Sequence, residues 1–355
     1  MNSVIDLTHL QRLLVINLAF IGDVLLSFPV VTALHSACPQ AKIDMLVVPL
    51  TKAIAKGNPY IDKVLVYDKR GKHKNIWQLL QLIGEVRRQH YDLVLCTNFA
   101  ARGAMLAWAA GIPLRLGYDQ QHAGLFLTHT TPADRSTIRH EADNYLDVLK
   151  PLSLITKDTQ LYFTVSESDK QSLAAKVPQL DRNKPIAAVC PIGSYPRKSW
   201  TNACYVALIN KLSQECQVVI IGGKQEAPEL QALGKASLVP PTTCQVVVLA
   251  GDLTLGELAA LLGECKVLVS VDTGPMHLAQ AVGTPVVALF GPTDPLIWGP
   301  RGSQDVIFYD PITCSPCWGK GLCQVNNCLT GIAVDSVIAA ALQKIRRKEA
   351  PLGTL

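Results

Sequence analysis

The stretch VSVDTGPMHLAQAVGTP (residues 269–285) decides the fold. An apolar run reaching back to Lys266 stops at an acid, a hydroxyl and a glycine in succession, and a histidine follows on the first turn of the next segment. KVLVSV (266–271) reads as a buried strand, HLAQAV as a helix and TPVVALFG (284–291) as a second buried strand. Strands that are apolar along their whole length, joined by a helix, belong to a parallel sheet covered on both faces.

The same alternation extends outward. PIAAVCP (185–191), a helix near 203–215, CQVVIIGG (216–223) and the helix TLGELAALLGEC (254–265) precede the central stretch. The first half offers the strand RLLVIN (12–17), a helix over about 23–36, and the strands AKIDMLVVP (41–49), KVLVYD (63–68) and YDLVLCT (91–97), with the helix NIWQLLQLIGEVRRQH (75–90) before the last. The halves also echo each other. YDLVLCTNFAARGAMLAWAAGIPLRLGY (91–118) runs strand, turn, helix, A-x-A-A-G-x-P, strand, and 265–291 does nearly the same.

A chain of 355 residues exceeds one ordinary core, so the echo predicts two Rossmann-like, doubly wound α/β domains. They are expected over 1–165 and 166–335, with the boundary in 166–184 and a ligand cleft between them. A terminal helix and tail over 336–355 is expected to pack back on the first domain.

With 49% hydrophobic and only 17% charged residues, the chain is not of the disordered class. Residues 1–10 lack the pattern of a signal peptide, and the greasiest segment (13–34) is cut by Asn17 and Asp23, so neither export nor a membrane span is expected. The net charge of +5 is modest, but cations cluster at Lys69, Arg70, Lys72 and Lys74 and at Lys344, Arg346, Arg347 and Lys348. Such clusters suit phosphates or an anionic membrane face, or are simply a solvated loop and helix end. They carry no interleaved aromatic platform, so nucleic acid is not an expected partner. Of eleven cysteines, seven sit singly, as thiols do in a reducing compartment. Cys314, Cys317, Cys323 and Cys328 instead form C-x2-C-x5-C-x4-C, a spacing that could hold a structural metal.

In open α/β sheets, ligands gather where strands end and helix N-termini offer free N–H groups. Asp272, Thr273 and Gly274 fall at such a point. Thr273 can give a hydroxyl and Gly274 a backbone N–H to a phosphate, while Asp272, which would repel phosphate, suits sugar hydroxyls or fixing the loop. His277 can donate to an anionic oxygen. A plain scaffold could use the same residues otherwise, with Asp272 or Thr273 capping the helix, Pro275 in its first turn and His277 on the surface. The combination, with a second strand-end turn GPTDP (291–295), favours a phosphate-bearing ligand. SYPRKSW (194–200) adds Ser194 and Lys198 as a hydroxyl and a point charge for a diphosphate. In the first half NLAFIGDVLLSFP (17–29) lacks G-x-G-x-x-G, which disfavours a dinucleotide site, and places Asp23 where a carboxylate could take a proton from an attacking hydroxyl, or cap a helix. No P-loop, G-x-S-x-G or H-E-x-x-H is present.

The IGD turn after the first strand, the K-x-W loop and VSVDTGPMHLAQAVGTPVVALFGPTDP together resemble glycosyltransferase family 9, the ADP-heptose:lipopolysaccharide heptosyltransferases, over roughly 12–337. The resemblance implies a GT-B architecture and inverting transfer of heptose from ADP-L-glycero-D-manno-heptose to a lipopolysaccharide core acceptor. It further implies no cofactor or catalytic metal, and peripheral work at the cytoplasmic face of the inner membrane. It makes Asp23 the catalytic base of an acceptor-side domain. It assigns Ser194, Lys198, Thr273, Gly274 and His277 to the donor diphosphate, Asp272 to the heptose or its loop, and Glu226, in IGGKQE, to the ribose. Family members often carry Thr-Thr where this chain has Gly193 and Ser194, one hydroxyl fewer for the phosphates. The Cys-rich ending also resembles that of many members, as a metal knuckle, disulfides or packed thiols. Two other functions fit the same residues: a relative using another nucleotide sugar or acceptor, and a catalytically silent nucleotide-sugar-binding protein.

Overall fold

Short apolar strands carry both halves of the chain. The computed structural model describes residues 5–237, 245–320, 323 and 327–347, and the chain divides after Thr164 into two units. In the first unit β1 (Arg12–Ile16), β2 (Lys42–Val47), β3 (Lys63–Val66), β4 (Leu93–Cys96), β5 (Leu114–Tyr118) and β6 (His129–Thr131) form one parallel sheet, ordered β3-β2-β1-β4-β5-β6. In the second, β7 (Ile186–Cys190), β8 (Gln217–Gly222), β9 (Val246–Ala250), β10 (Val267–Val271), β11 (Val286–Phe290) and β12 (Val306–Tyr309) are ordered β12-β11-β10-β7-β8-β9, all parallel. Read from the first strand of each unit, the two topologies are identical. Each is the doubly wound pattern, in which strand order reverses beside the first strand.

The echo between the halves has a local cause. The helices Ala101–Ala109 and Gly274–Ala281 are each followed, two residues on, by a left-handed glycine, Gly111 at φ +79° and Gly283 at φ +84°. A glycine there turns the chain into the next strand without a Cβ penalty. The expected helix over 23–36 is instead two, Ile21–Leu26 and Phe28–Ala37. Pro29 has no N–H to continue the first helix, so the chain restarts at Ser27 with Pro29 in the new first turn. Strands β6, β9 and β12 were not foreseen; all three are outer strands of the sheets, and β12 is only partly buried.

The last helix, Val334–Arg346, was expected against the first domain. Its stripe of Val337, Ala341, Leu342 and Ile345 is buried in the core of the second unit, against the helix Asn202–Leu212 and strands β10 and β11. The i, i+4 spacing of 337, 341 and 345 puts one apolar face on that sheet. Arg346 Nε then closes the outer edge by donating to Glu215 Oε2 at 2.7 Å. Lys348, the last cation of the expected cluster, lies outside the described residues. Among the described residues no helix is long and apolar enough to cross a membrane.

Helix Leu255–Glu264 is fixed at its start by a reciprocal cap: Glu257 N–H donates to Thr254 Oγ1 at 3.2 Å and Thr254 N–H donates to Glu257 Oε2 at 2.7 Å. Lys176 Nζ and Ser172 Oγ, on helix Glu167–Lys176, also donate to the Glu257 carboxylate. Burial opposes ionisation, but these donors outweigh it and hold Glu257 at about 2, against an ordinary 4.5. A lowered folded-state value stabilises the fold above the ordinary one and loses that stabilisation as pH falls through the folded one. Glu257→Gln should therefore lower the melting temperature at neutral pH, with the gap to the parent closing between about pH 4.5 and 2; a gap independent of pH would contradict it.

Candidate functional site

In the second unit strand order reverses between β7 and β10, and the residues singled out from the sequence gather just past those two strand ends. Lys198, in a short turn after β7, donates from Nζ to Asp272 Oδ2 at 2.7 Å and to the Asp272 carbonyl at 3.3 Å. Both side chains are largely withdrawn from water, so the pair ties the two strand ends together. An ammonium has three donors and this one spends two on Asp272, leaving a third for an anion. The stem of Lys198 can lie this close because residue 193 is glycine: a Cβ there would stand 2.4 Å from Lys198 Cβ. The missing hydroxyl at Gly193 and the position of Lys198 are thus one arrangement.

Asp272 is engaged with Lys198 and Thr273 is the N-cap residue of helix Gly274–Ala281, but its side chain makes no capping bond. Its hydroxyl is therefore not consumed by the scaffold. Amides of the first turn, Gly274 among them, start a helix whose N-terminus favours negative charge. His277, expected either as an anion donor or as a surface residue, is buried, with Nδ1 3.2 Å from Gln280 Oε1. Burial lowers its pKa, against an opposing pull from Asp272, and so favours the neutral ring. With Nδ1 donating to Gln280, Nε2 is an acceptor, and donation to an anion from that nitrogen requires a second proton. Ser194 is exposed in the turn after β7. Glu226 follows the adjacent strand β8, where its Oε2 accepts from the Gly223 N–H at 2.7 Å. Thr293, in the GPTDP turn after β11, was not among the expected site residues; it is buried, and its Oγ1 has no partner among the described residues.

The first unit repeats the bridge with neutral groups. Past β1 and β4, Asn98 Nδ2 donates to Asn17 Oδ1 at 3.1 Å, and Asn17 Nδ2 donates to the Asp23 carbonyl at 3.1 Å. This holds the turn that carries Asp23. The carboxylate of Asp23 does not sit at the N-cap but in the first turn of helix Ile21–Leu26, where Oδ2 accepts from the Phe20 N–H at 3.3 Å. Its other oxygen, Oδ1, accepts a 2.9 Å hydrogen bond from Tyr145 Oη, which no sequence pattern announced across 122 residues. Tyr145 shares helix Glu141–Leu146 with Glu141, one turn earlier. Arg135 holds Glu141 through both guanidinium nitrogens, with Nη2 2.9 Å from Oε1. Burial raises the Asp23 pKa, the Tyr145 and Phe20 donors pull it down, and Glu141 pushes it up. A carboxylate whose proton affinity is raised is a better base than an exposed aspartate.

Cys314, Cys317, Cys323 and Cys328 are free thiols and line one cavity of about 30 Å³ with Arg197 and Ile312. Among the described residues no three His, Cys, Asp or Glu side chains are grouped to hold a metal. The scattered thiols Cys96, Cys190 and Cys265 are buried, with pKa values pushed to about 12 for the first two.

Comparison with known proteins bears on these sites. A family profile described as glycosyltransferase family 9 (heptosyltransferase) matches residues 79–326. Lipopolysaccharide heptosyltransferase 3 of Escherichia coli K12 is 28% identical over 342 residues, covering 93% of this chain and 96% of that protein. Among solved structures, a family 9 glycosyltransferase from Veillonella parvula superposes with a TM-score of 0.83 at 26% identity, covering 96% of this chain and 99% of the other. The Escherichia coli ADP-heptose lipopolysaccharide heptosyltransferase II superposes at 0.81 with 22% identity, covering 94% and 98%.

Three substitutions check this geometry without any turnover. Tyr145→Phe deletes a donor that lowers the Asp23 pKa, so carboxyl-carbon NMR should find Asp23 titrating at higher pH than in the parent; an unchanged or lower midpoint would show that the bond does not form. Gly193→Thr crowds Lys198, and overpacking of this kind costs about 1–3 kcal/mol. Calorimetric titration with ADP should show affinity falling by roughly tenfold, close to the effect of Lys198→Ala, and equal affinity for all three proteins would remove Lys198 from anion binding.

Proposed function

Because the chain belongs to glycosyltransferase family 9, the heptosyltransferases, we propose that it transfers a heptose from ADP-L-glycero-D-manno-heptose to a lipid-linked lipopolysaccharide core acceptor. The chain is a glycosyltransferase of GT-B class, with two Rossmann-like units. The observation that carries the finer reading is the ion pair of Lys198 and Asp272 beside an uncommitted Thr273 hydroxyl, at the point where the sheet order reverses. A diphosphate there meets a cation, a hydroxyl and helix N–H groups within one turn. The choice of heptose and ADP is supported by the similarity to lipopolysaccharide heptosyltransferase 3 and to ADP-heptose lipopolysaccharide heptosyltransferase II.

In this reading Lys198, Ser194, Thr273 and the amides from Gly274 onward stabilise the departing ADP as the bond between its terminal phosphate oxygen and the anomeric carbon breaks. Asp272 holds Lys198 in place and borders the heptose, and Glu226 borders the ribose. The acceptor hydroxyl attacks the opposite face of the anomeric carbon, which inverts it, and its proton passes to Asp23. Burial of Asp23 raises its affinity for that proton. The scheme uses no cofactor. The acceptor being lipid-linked, the enzyme is expected to work as a peripheral protein on the cytoplasmic face of the inner membrane.

The test is release of ADP from ADP-heptose with a truncated core acceptor, compared with UDP- and GDP-sugars. Preference for a UDP- or GDP-sugar would replace the donor, and binding without turnover on any acceptor would replace the enzyme by a binding protein. Asp23→Asn should reduce turnover by about 10²- to 10⁴-fold with little change in ADP affinity, and a variant of full activity would remove Asp23 from the mechanism.

A further inference from the structure

The outer face of the first unit carries an unusual pairing of exposed apolar side chains with unpaired cations. Helix Ile76–Arg87 and helix Ala101–Ala109 pack side by side, and the short turn Ala123–Phe126 packs against the second of them. Their inward residues, including Leu82, Val86, Ala104 and Ala107, join the core, which accounts for the inner faces only. Outward stand Trp77 at 75% exposure with Ile76 and Leu80, then Trp108 at 55% with Met105, and Leu125 at 79%. Trp108 leans on Phe126 of the turn, ring centroids 5.7 Å apart, so the second helix and the turn form one surface. Six large apolar side chains held out of a core within three neighbouring elements are more than the scattered exposure normal for a protein surface.

The cations stand at the edges of this surface. Lys69, Arg70, Lys72 and Lys74 are exposed in the loop that leads directly into Ile76 and Trp77. That loop is built: the Asp68 carboxylate accepts from the N–H groups of Gly71 at 2.8 Å and Lys72 at 3.1 Å, and His73 is buried with Nδ1 accepting from the Asp68 N–H at 3.0 Å. The tight turn faces its four cationic side chains to water. Arg102 continues them on the outer row of helix Ala101–Ala109, one turn before Met105 and two before Trp108. Among the described residues none of these five cations has a carboxylate partner within ion-pair distance.

We propose that this face, made by helices Ile76–Arg87 and Ala101–Ala109, the turn Ala123–Phe126 and the loop before them, docks the protein on an anionic lipid bilayer. The chemistry selects that occupant over a second protein. A protein partner would need carboxylates placed opposite five separate cations. A bilayer of anionic lipids offers such charge everywhere, with an apolar layer just beneath it. Indole rings suit the headgroup level, where the ring is half-buried and its N–H stays wet, and lysine stems can reach past them to phosphates. With no helix among the described residues able to cross the bilayer, contact of this kind is lateral and reversible. The proposal deepens the reading of a lipid-linked acceptor and rests on it for its purpose, since such docking would bring the first unit to the plane where that acceptor lies.

The test is co-sedimentation of the full chain with vesicles of phosphatidylcholine alone or mixed with phosphatidylglycerol. Binding should require phosphatidylglycerol and weaken with salt. Cations near an anionic surface contribute about fivefold each, so Lys69→Ala/Lys72→Ala/Lys74→Ala should weaken partitioning by about a hundredfold. Trp77→Ala/Trp108→Ala should weaken it by at least about tenfold and abolish any blue shift of tryptophan emission, and Trp77→Ala alone should weaken it with the melting temperature unchanged, because that ring is 75% exposed. Lys344→Ala/Arg347→Ala, in the second unit, should leave partitioning intact. The proposal is overturned if the parent ignores the anionic vesicles, if both patch variants bind as the parent does, or if the second-unit variant alone loses binding. It is equally overturned if sedimentation velocity shows the tryptophans holding two copies of the chain together. No donor or acceptor sugar enters the assay, so a protein that docks but transfers nothing would sink the transfer reading and leave the surface standing.

Discussion

Everything chemical in this chain hangs on a reversal of strand order. Beside β1 in the first unit and β7 in the second, successive crossovers leave toward opposite sides of the sheet, so the strand ends there are not roofed by a connection. Backbone N–H groups and short loops are exposed at that one place, and both units bridge it with side chains. The second uses the ion pair of Lys198 and Asp272, the first the neutral pair of Asn17 and Asn98. The difference in charge matches the difference in the residues nearby. A cation kept out of water by an acid is ready for a phosphate, whereas amides brace the turn of Asp23 without adding a full charge next to it.

The strength of the Lys198 pair should not be mistaken for stability. Withdrawing both ions from water costs about as much as their attraction returns, so the pair specifies position more than it stabilises the fold. Position is what binding a diphosphate there would need, because a flexible lysine must otherwise be ordered at the moment of binding. Asp23 is arranged in the opposite sense. It is partly buried and takes donors from Tyr145 and the Phe20 N–H, yet burial still dominates and leaves it more basic than a surface carboxylate.

Local pattern made the architecture legible. Buried strands declared themselves as unbroken apolar runs, and the A-x-A-A-G-x-P echo marked the two left-handed glycines that close equivalent helices. The cluster of Lys198, Asp272 and Thr273 was legible because these residues lie within a few positions of two strand ends. What escaped was whatever depends on distant segments: Tyr145 over Asp23, the bidentate Arg135 on Glu141, and the seat of the last helix in the second unit. An amphipathic stripe says that a helix has an inner face, not which sheet receives it. The buried setting of His277 was missed for a related reason, since one histidine in a helical turn looks alike whether it faces solvent or core.

The glycine at position 193 has a consequence for how this protein can change. Because the lysine stem fills the space where a side chain would begin, residue 193 cannot gain a Cβ while that stem keeps its path. A lineage that gains a hydroxyl at 193 must first let residue 198 swing aside, and one that shortens residue 198 opens a gap that a larger neighbour could occupy. A side chain at 193 and a lysine at 198 can therefore coexist only where the stem of 198 takes another path.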